Sequence, residues 1–225
     1  MREMLDFISS YSLVDLIPME TAVYLRLFER ANENLWPLPL LTVLSGIALT
    51  LVVTFKRHIN ATPWRWVTWG VLGAAWLLVG YQFHWRLLAE LNWTGDYFGL
   101  LFIAQGFLLL LLLFLGKPTP AANNRLFEKL LGVIMMVCAA VVYPLIPWIT
   151  DRSWSSSELF AIAPDPTCLL TLGVLLATHS ARWWLLIIPL LWCLISGAMA
   201  YAMDLPSGLL LLAAGALPLL VVARK

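Results

Sequence analysis

The sequence predicts an all-α membrane protein, a bundle of seven transmembrane helices with its N-terminus outside and its C-terminus in the cytoplasm. Composition, apolar segments and charge distribution predict this fold. Hydrophobic residues make up 61% of the 225 residues and charged residues only 12%, whereas soluble domains carry roughly 25% charged residues. The mean hydropathy is +0.85. Too few polar side chains remain to cover a surface that faces water.

Seven apolar segments divide the chain. A helix needs about 20 apolar residues to cross the hydrocarbon layer of a bilayer. Within a few residues at each end, such segments run over 35–55, 64–83, 97–115, 127–149, 166–179, 183–203 and 205–222. The fifth segment is short, so the sequence leaves two interpretations open for it: a full crossing or a re-entrant loop.

The charged residues orient these segments, because short cytoplasmic loops collect Lys and Arg. With seven crossings, nine of the fourteen Lys and Arg residues lie on one side of the membrane. Twelve of the thirteen acidic residues lie on the other side, Glu128 being the exception. A re-entrant fifth segment would move Arg182, Arg224 and Lys225 to the outer side. The charge distribution therefore favours seven crossings and a cytoplasmic C-terminus.

Tryptophans support the same boundaries, since indole rings favour the headgroup layers. Ten of the twelve tryptophans, Trp69 among them, lie at the predicted ends of the spans. Only Trp76 and Trp192 lie near mid-span. Together with Gln82 and Gln105, they are the polar side chains predicted to face the interior of the bundle.

Residues 1–34 are predicted to form an external, amphipathic helical segment, and residues 35–225 the transmembrane domain. Apolar residues recur at helical spacing from Leu16 to Leu35, and Arg26, Arg30 and Glu33 lie on the opposite face. This pattern is typical of a helix that lies on a membrane surface or on the outer mouth of a bundle.

Several classes of protein are not indicated by the sequence. The longest basic cluster, 56–58, is too short to indicate a nucleic-acid partner. Cys138, Cys168 and Cys193 lie in apolar runs without metal-binding spacing and are interpreted as buried thiols. No hydrolase, metalloprotease or nucleotide-binding motif is present, so the sequence assigns neither an enzymatic activity nor a cofactor. The predicted partners are the lipid bilayer and either a second copy or another membrane subunit.

Candidate ligand-binding residues lie at the outer ends of the second, third, fifth and sixth spans, which a compact bundle can bring around one opening. These candidates are His84, Arg86, Glu90, Asp96, Asp165 and Asp204. His84 has two interpretations: a headgroup-layer histidine bonded to a loop carbonyl, or a ligand contact shared with Glu90 or Asp96. The other outer acids, Asp151 and Glu158 among them, are interpreted as a solvated rim.

Two of the candidates have specific local explanations. Asp165 stands between Pro164 and Pro166 and can cap the helix of the fifth span, with Thr167 as the alternative cap. Met199 and Met203 share a helix face next to Asp204, so that two thioethers and a carboxylate could hold a soft cation such as Cu(I). Ordinary packing of the two methionines is the alternative interpretation.

Three stretches of the sequence resemble a bacterial family of multi-pass inner-membrane proteins of unknown function. They read YLRLFERANENLWP over 24–37, FGLLFIAQG over 98–106, and PDPTCLLTLG over 164–173. The resemblance implies a location in the bacterial inner membrane. It implies no activity, so no catalytic residue follows from it.

Two functions remain open. Seven crossings and an acidic outer vestibule favour transport or channel-like handling of a small solute or cation. The absence of charged residues from the middle of the spans favours a non-catalytic membrane subunit or assembly factor, as do Gly70, Gly73 and Ala74, which permit close helix packing. A cavity reaching mid-membrane would support transport, and a solidly packed bundle with an apolar flank would support the subunit.

The orientation can be measured with reporter fusions after Lys56, Glu90, Lys117 and Asp151. We expect the reporters to alternate between cytoplasmic and external signals, beginning with a cytoplasmic signal at Lys56, because the Lys and Arg distribution sets the topology. A cytoplasmic N-terminus would contradict the predicted topology.

Overall fold

The structure is a computed structural model that describes residues 19–55, 63–115, 126–180 and 182–222. All regular structure within these ranges is helical, which confirms the all-α prediction. Several residues of the sequence argument lie outside the described ranges: Leu16, Ile17, Lys56, Arg57, His58, Lys117, Arg125, Arg224 and Lys225.

Eight helices follow one another along the described chain. They are α1 (Thr21–Asn34), α2 (Leu38–Phe55), α3 (Trp64–Leu78), α4 (Thr94–Leu111), α5 (Leu126–Ile149), α6 (Pro164–Ala177), α7 (Trp183–Ala202) and α8 (Ser207–Val222). A π-helical segment, Val79–Leu88, continues α3, and a second one, Cys138–Val142, lies inside α5. Each of the seven apolar segments is therefore helical in the structure.

Four of these helices, α2, α4, α5 and α7, are long and apolar enough to cross a membrane. Two shorter apolar helices are Pro164–Ala177 and Ser207–Pro218. The number of crossings and their direction stay predictions, because helix length and composition alone support four candidate spans among the described residues.

Helix α6 is the centre of the fold. All fourteen of its residues are buried, and α2, α3, α5, α7 and α8 surround it. Fourteen residues give a helix of about 21 Å, which is shorter than the roughly 30 Å of a hydrocarbon layer. Buried, non-helical chain over 157–163 precedes α6.

Backbone chemistry sets both ends of α6. Ala163 is extended, with φ −104° and ψ 146°, and Pro164 begins the helix, a position where the missing N–H of proline costs nothing. His179 follows the C-terminal end with φ 54°, in the left-handed region that reverses the chain direction. The chain then turns into α7.

Glycines allow α5 and α6 to pack backbone against backbone. A Cβ atom at Gly132 would lie 2.5 Å from the Gly173 carbonyl oxygen, and one at Gly173 would lie 2.6 Å from the Gly132 carbonyl oxygen. Of the small residues singled out in the sequence, Gly73 makes a close contact with Leu110 of α4, but Gly70 has nothing within 4 Å of its Cβ position. The close-packing prediction is thus right for Gly73 and wrong for Gly70.

Helix α1 packs on the bundle through its apolar face. Tyr24, Leu27, Phe28 and Ala31 are buried, and the ring of Phe28 stacks on that of Phe83 with centroids 5.2 Å apart. Of the two positions that the sequence leaves open for this helix, on a membrane surface or on the mouth of the bundle, the buried apolar face agrees with the bundle.

Three of the four mid-span polar side chains face the interior of the bundle, as predicted. Trp76 Nε1 donates a hydrogen bond of 2.8 Å to Thr171 Oγ1 of α6. Gln105 Nε2 donates one of 3.0 Å to the Leu185 carbonyl of α7. Trp192 contacts Asp165, whereas Gln82 is only half-buried.

One of the ten tryptophans predicted to lie in the headgroup layers at the ends of the spans is buried in the core instead. Trp69 is 3% exposed and belongs to the core, so the prediction of an interfacial position for it is wrong. Its side chain lies on the face of α3 that also buries Leu72 and Trp76. Helical periodicity, rather than distance from the helix end, decides its environment.

The α5–α6 contact can be tested with one alanine. We expect Gly132→Ala to lower the free energy of unfolding by about 1–3 kcal/mol, because the new Cβ meets backbone atoms that cannot move independently. A lower thermal midpoint in detergent would report this loss. Gly70→Ala is the matched control: its Cβ has open space, so its higher helix propensity should raise stability by up to about 1 kcal/mol. Equal midpoints for the two variants would contradict the assigned packing.

Candidate functional site

A buried carboxylate lies at the start of α6. Asp165 is 1% exposed, and its Oδ1 accepts two hydrogen bonds of 2.7 Å, from Trp192 Nε1 and from Ser196 Oγ. Trp192 is the tenth of the twenty residues of α7. Asp165 therefore contacts the middle of an apolar helix from the first turn of α6.

The predicted helix-capping role of Asp165 is wrong. The N-cap residue is Ala163, and no side chain caps this helix end. Thr167 Oγ1, the alternative cap, does accept a hydrogen bond of 2.9 Å from the backbone N–H of Ala161, and donates one to the Ala163 carbonyl. Asp165 binds side chains of another helix instead of capping its own.

A second carboxyl group lies beside Asp165. Glu158, in the non-helical chain before α6, is 2% exposed, and its carboxyl interacts directly with that of Asp165. Glu158 Oε2 and Asp165 Oδ2 are buried without a hydrogen-bond partner among the described residues. The prediction that Glu158 belongs to a solvated rim is therefore wrong, and we call these two residues the carboxyl pair.

Side chains from several elements surround the carboxyl pair. Tyr143 of α5 is fully buried, its hydroxyl has no partner within the described chain, and the charges of both carboxyls act on it. The guanidinium of Arg152 acts electrostatically on Glu158, and its Nε donates 2.9 Å to Thr150 Oγ1. The thiols of Cys168 and Cys193 are buried and unoxidised on α6 and α7, as predicted for structural thiols.

A cavity of about 330 Å³ ends next to this pair. Its lining residues come from α1, the π-helical segment, the loop before α4, α4 itself and α7; they include Tyr24, Asn92, Phe98, Trp192 and Ser196. Trp192 and Ser196 thus face the cavity and also donate to Asp165. A ligand in the cavity would be separated from the carboxyl pair only by these two donors.

His84 lies in an aromatic environment behind the cavity wall. It is 0% exposed, and its ring centroid lies 4.4 Å from Phe102 and 5.0 Å from Trp192. Neither ring nitrogen has a hydrogen-bond partner among the described residues. The interpretation of an interfacial histidine bonded to a loop carbonyl is therefore wrong. The π-helical segment carries the residue inward.

The remaining predicted site residues stay at the surface. Arg86, Glu90, Asp96 and Asp204 are exposed, and Glu90 Oε2 pairs with Arg30 Nη2 at 3.3 Å rather than with His84. The structure thus brings together two of the six candidates, His84 and Asp165, which are bridged by the indole of Trp192. Asp204 adopts φ 55° after the end of α7, a conformation that aspartate tolerates in turns.

The proposed soft-cation residues do not form a cluster with other ligands. Met199 lines the cavity, Met203 is 8% exposed, and Asp204 is at the surface. Over the described ranges, no group of three or more His, Cys, Asp or Glu side chains is placed to hold a metal ion.

A separate groove of about 700 Å³ runs along the flank between α1, α2 and α5. Its walls are mostly apolar and include Trp36, Leu40, Leu145 and Trp154. At one end Asn32 Nδ2 donates to the carbonyls of Ser155 and Ser157 at 2.7 and 2.8 Å. Ser157 and Leu159, the chain neighbours of Glu158, also line this groove.

Two ionisable groups outside the spans have altered acidity. Burial, followed by the neighbouring Asp165, raises the pKa of Glu158 well above its ordinary value of 4.5, and Arg152 opposes this shift. Burial also raises the pKa of Tyr24, with smaller contributions from Asp165 and Glu158.

Fold and site together define an all-helical protein with four helices of membrane-spanning length and a buried carboxyl pair below a cavity. Residues 21–225 match the model of a family of unknown function, DUF6064, and the chain belongs to that family. This confirms the resemblance to an uncharacterised family. No curated protein and no solved structure matches the chain.

The raised pKa of Glu158 predicts a pH-dependent stability. Between the pKa of the unfolded chain, about 4.3, and the higher pKa of the folded state, only the folded protein holds this proton. The free energy of unfolding therefore falls as the pH rises through that window. We expect the thermal midpoint of the wild type to fall as the pH rises above about 5, and Glu158→Gln to flatten this dependence. Glu33→Gln, at an exposed position, should leave it intact; equal slopes in all three proteins would refute the assignment.

Proposed function

We propose that this protein is a seven-span membrane protein, with its N-terminus outside, that binds a small cation or cationic solute in the cavity and transports it. Seven apolar segments that all fold as helices support the seven crossings, and the distribution of Lys and Arg supports the orientation. The same distribution and the family resemblance support a location in the bacterial inner membrane.

The observation that carries the proposal is that two residues of the cavity wall, Trp192 and Ser196, bind the carboxylate of Asp165. The cavity ends at Trp192, the tenth of twenty residues of α7, and Trp192 and Ser196 both donate to Asp165. Two carboxyl groups and one guanidinium, that of Arg152, give the buried cluster a net charge of −1 when all three are ionised. A positively charged ligand would offset this charge.

The exposed acids near the mouth of the cavity suit the same role. Glu90 and Asp96 flank Asn92 and Thr94, which line the cavity, and Asp204 follows the end of α7. Carboxylates at an opening raise the local concentration of cations. The outer candidates that lie away from the buried pair are thus proposed to attract the ligand rather than to bind it.

Transport would require a change of conformation. Beyond the carboxyl pair, α6 presents Leu169, Leu172, Val174 and Leu176, all at most 1% exposed, so apolar packing closes the described bundle below the cavity. A ligand would reach the opposite side only if α6 or a neighbouring helix moved. Alternating exposure of one site to the two sides of a membrane is the usual solution in transporters.

A second candidate function rests on the flank groove. An apolar groove of about 700 Å³ with Leu40 and Leu145 in its walls would suit contact with lipid or with another membrane protein. The non-catalytic subunit or assembly factor therefore remains the alternative function. The cavity reaching the middle of α7 favours transport over this alternative.

Cation binding can be tested by thermal unfolding of the purified protein in detergent with Na⁺, K⁺ or methylammonium as probes. We expect one of them to stabilise the wild type by about 2.7 kcal/mol at a hundred times its Kd. Ser196→Leu should abolish the shift, because it fills the cavity floor and removes a donor to Asp165. Ala213→Leu, at an exposed position of α8, is the control that should keep it.

Proteoliposome uptake of the stabilising cation then distinguishes the two candidate functions. Uptake by the wild type and by Ala213→Leu, but not by Ser196→Leu, is expected of a transporter. Binding without uptake would favour the subunit, and stabilisation that is equal in all three proteins would remove the cavity as the binding site.

A further inference from the structure

The carboxyl pair, Glu158 and Asp165, is a site whose occupant can be named from its geometry. Both side chains are at least 98% buried, and they approach one another from the non-helical chain and from the first turn of α6. The pair interacts with the charge of Arg152. If both carboxyls are ionised, one negative charge is left without compensation in an apolar interior, which is strongly unfavourable.

The hydrogen bonds distinguish the two carboxyl groups. Asp165 Oδ1 accepts from both Trp192 and Ser196, and two donors to one oxygen stabilise an ionised carboxylate. Asp165 Oδ2 and Glu158 Oε2 are buried and have no other partner within the described chain. A proton on Glu158 supplies the missing donor and makes Asp165 its acceptor, so that one proton satisfies both carboxyl groups.

We propose that Glu158 and Asp165 together bind one exchangeable proton, and that this proton reaches the cavity through Ser196 and Tyr24. In this arrangement Glu158 is the carboxylic acid and Asp165 the carboxylate. On release, the proton passes to water in the cavity and the pair gains one negative charge. The inference rests on the proposed function only for the role of the proton in transport. A cation that enters the cavity would replace the positive charge that is lost when the proton leaves the pair.

A continuous set of hydroxyl groups supports the path. Tyr24 and Ser196 both line the cavity. Ser196 in turn donates to Asp165 Oδ1. The hydroxyl of Tyr143 on α5 is buried and has no hydrogen-bond partner among the described residues.

Every element packed against the pair contributes groups that influence its titration. The chain before α6 contributes Arg152, whose charge favours the ionised form of Glu158. Tyr24 of α1, Tyr143 of α5, and the thiols of Cys168 and Cys193 are neutral near pH 7 because burial disfavours their ionised forms. Burial of Glu158 raises its pKa, in agreement with the geometry.

Infrared spectroscopy of the full-length protein in lipid vesicles tests the site without any solute. The C=O stretching band of a protonated carboxyl is distinct from the bands of a carboxylate. We expect the wild type to keep one such band at about pH 6, where exposed acids are ionised, and to lose it once the pH exceeds the raised pKa of Glu158. Glu158→Gln should remove the band. Glu90→Gln, at an exposed carboxyl, should leave it unchanged.

Two further measurements address the partner and the path. Asp165→Asn should shift the frequency of the band, because the acceptor of the proton changes from a carboxylate to an amide. Ser196→Ala should slow the exchange of the proton for deuterium, because it interrupts the hydroxyl path to the cavity. Both readouts report on the proton itself, and a merely structural role of these residues would not produce them.

The outcomes separate this inference from the proposed function. The proton site is overturned if the folded wild type lacks the band, or if the band survives in Glu158→Gln. If the variant does not fold, the pH titration of the wild type alone decides. Loss of the band on adding Na⁺ or K⁺ at constant pH would show that the cation and the proton compete for the pair, which supports both the proton site and the proposed function. A normal band together with no cation binding to the cavity would refute the proposed transport alone.

Discussion

The bond from the middle of α7 to the carboxylate of Asp165 is the interaction on which the rest of the structure depends. An uncompensated carboxylate in an apolar interior costs several kcal/mol, so Asp165 can be buried only where donors meet it. The indole of Trp192 and the hydroxyl of Ser196 provide them at 2.7 Å. These two bonds fix the register of α6 against α7.

Once α6 is held at the centre, its short length and apolar sequence determine the remaining packing. A helix buried on all sides must be apolar around its whole circumference, and its neighbours must come close. Gly132 and Gly173 permit this on the side of α5, and the bond from Trp76 to Thr171 is made on the side of α3. The buried chain before the helix then brings Glu158 beside Asp165, which produces the site as a consequence of the packing.

Part of the candidate site can be predicted from the sequence. Asp165 and His84 were recognised as polar groups near span ends, and Trp76, Trp192 and Gln105 as interior groups, because polar residues in apolar segments need partners. Glu158 was misplaced because it stands in a loop-like stretch, SSSELF, whose burial depends on chain folding back into the bundle. Its only sequence signal is the apolar run that follows, LFAIA, which is unusual for an exposed loop.

The sequence by itself determined the helical class, the positions of the apolar helices and the family, because these follow from composition and from periodicity along the chain. Only the tertiary structure decided which polar groups meet. Asp165 and Trp192 are 27 residues apart, and whether a carboxylate near a helix start faces solvent or the middle of another helix depends on how deeply that helix begins. The depth of α6 is set by contacts with five other helices, and local sequence carries no record of it.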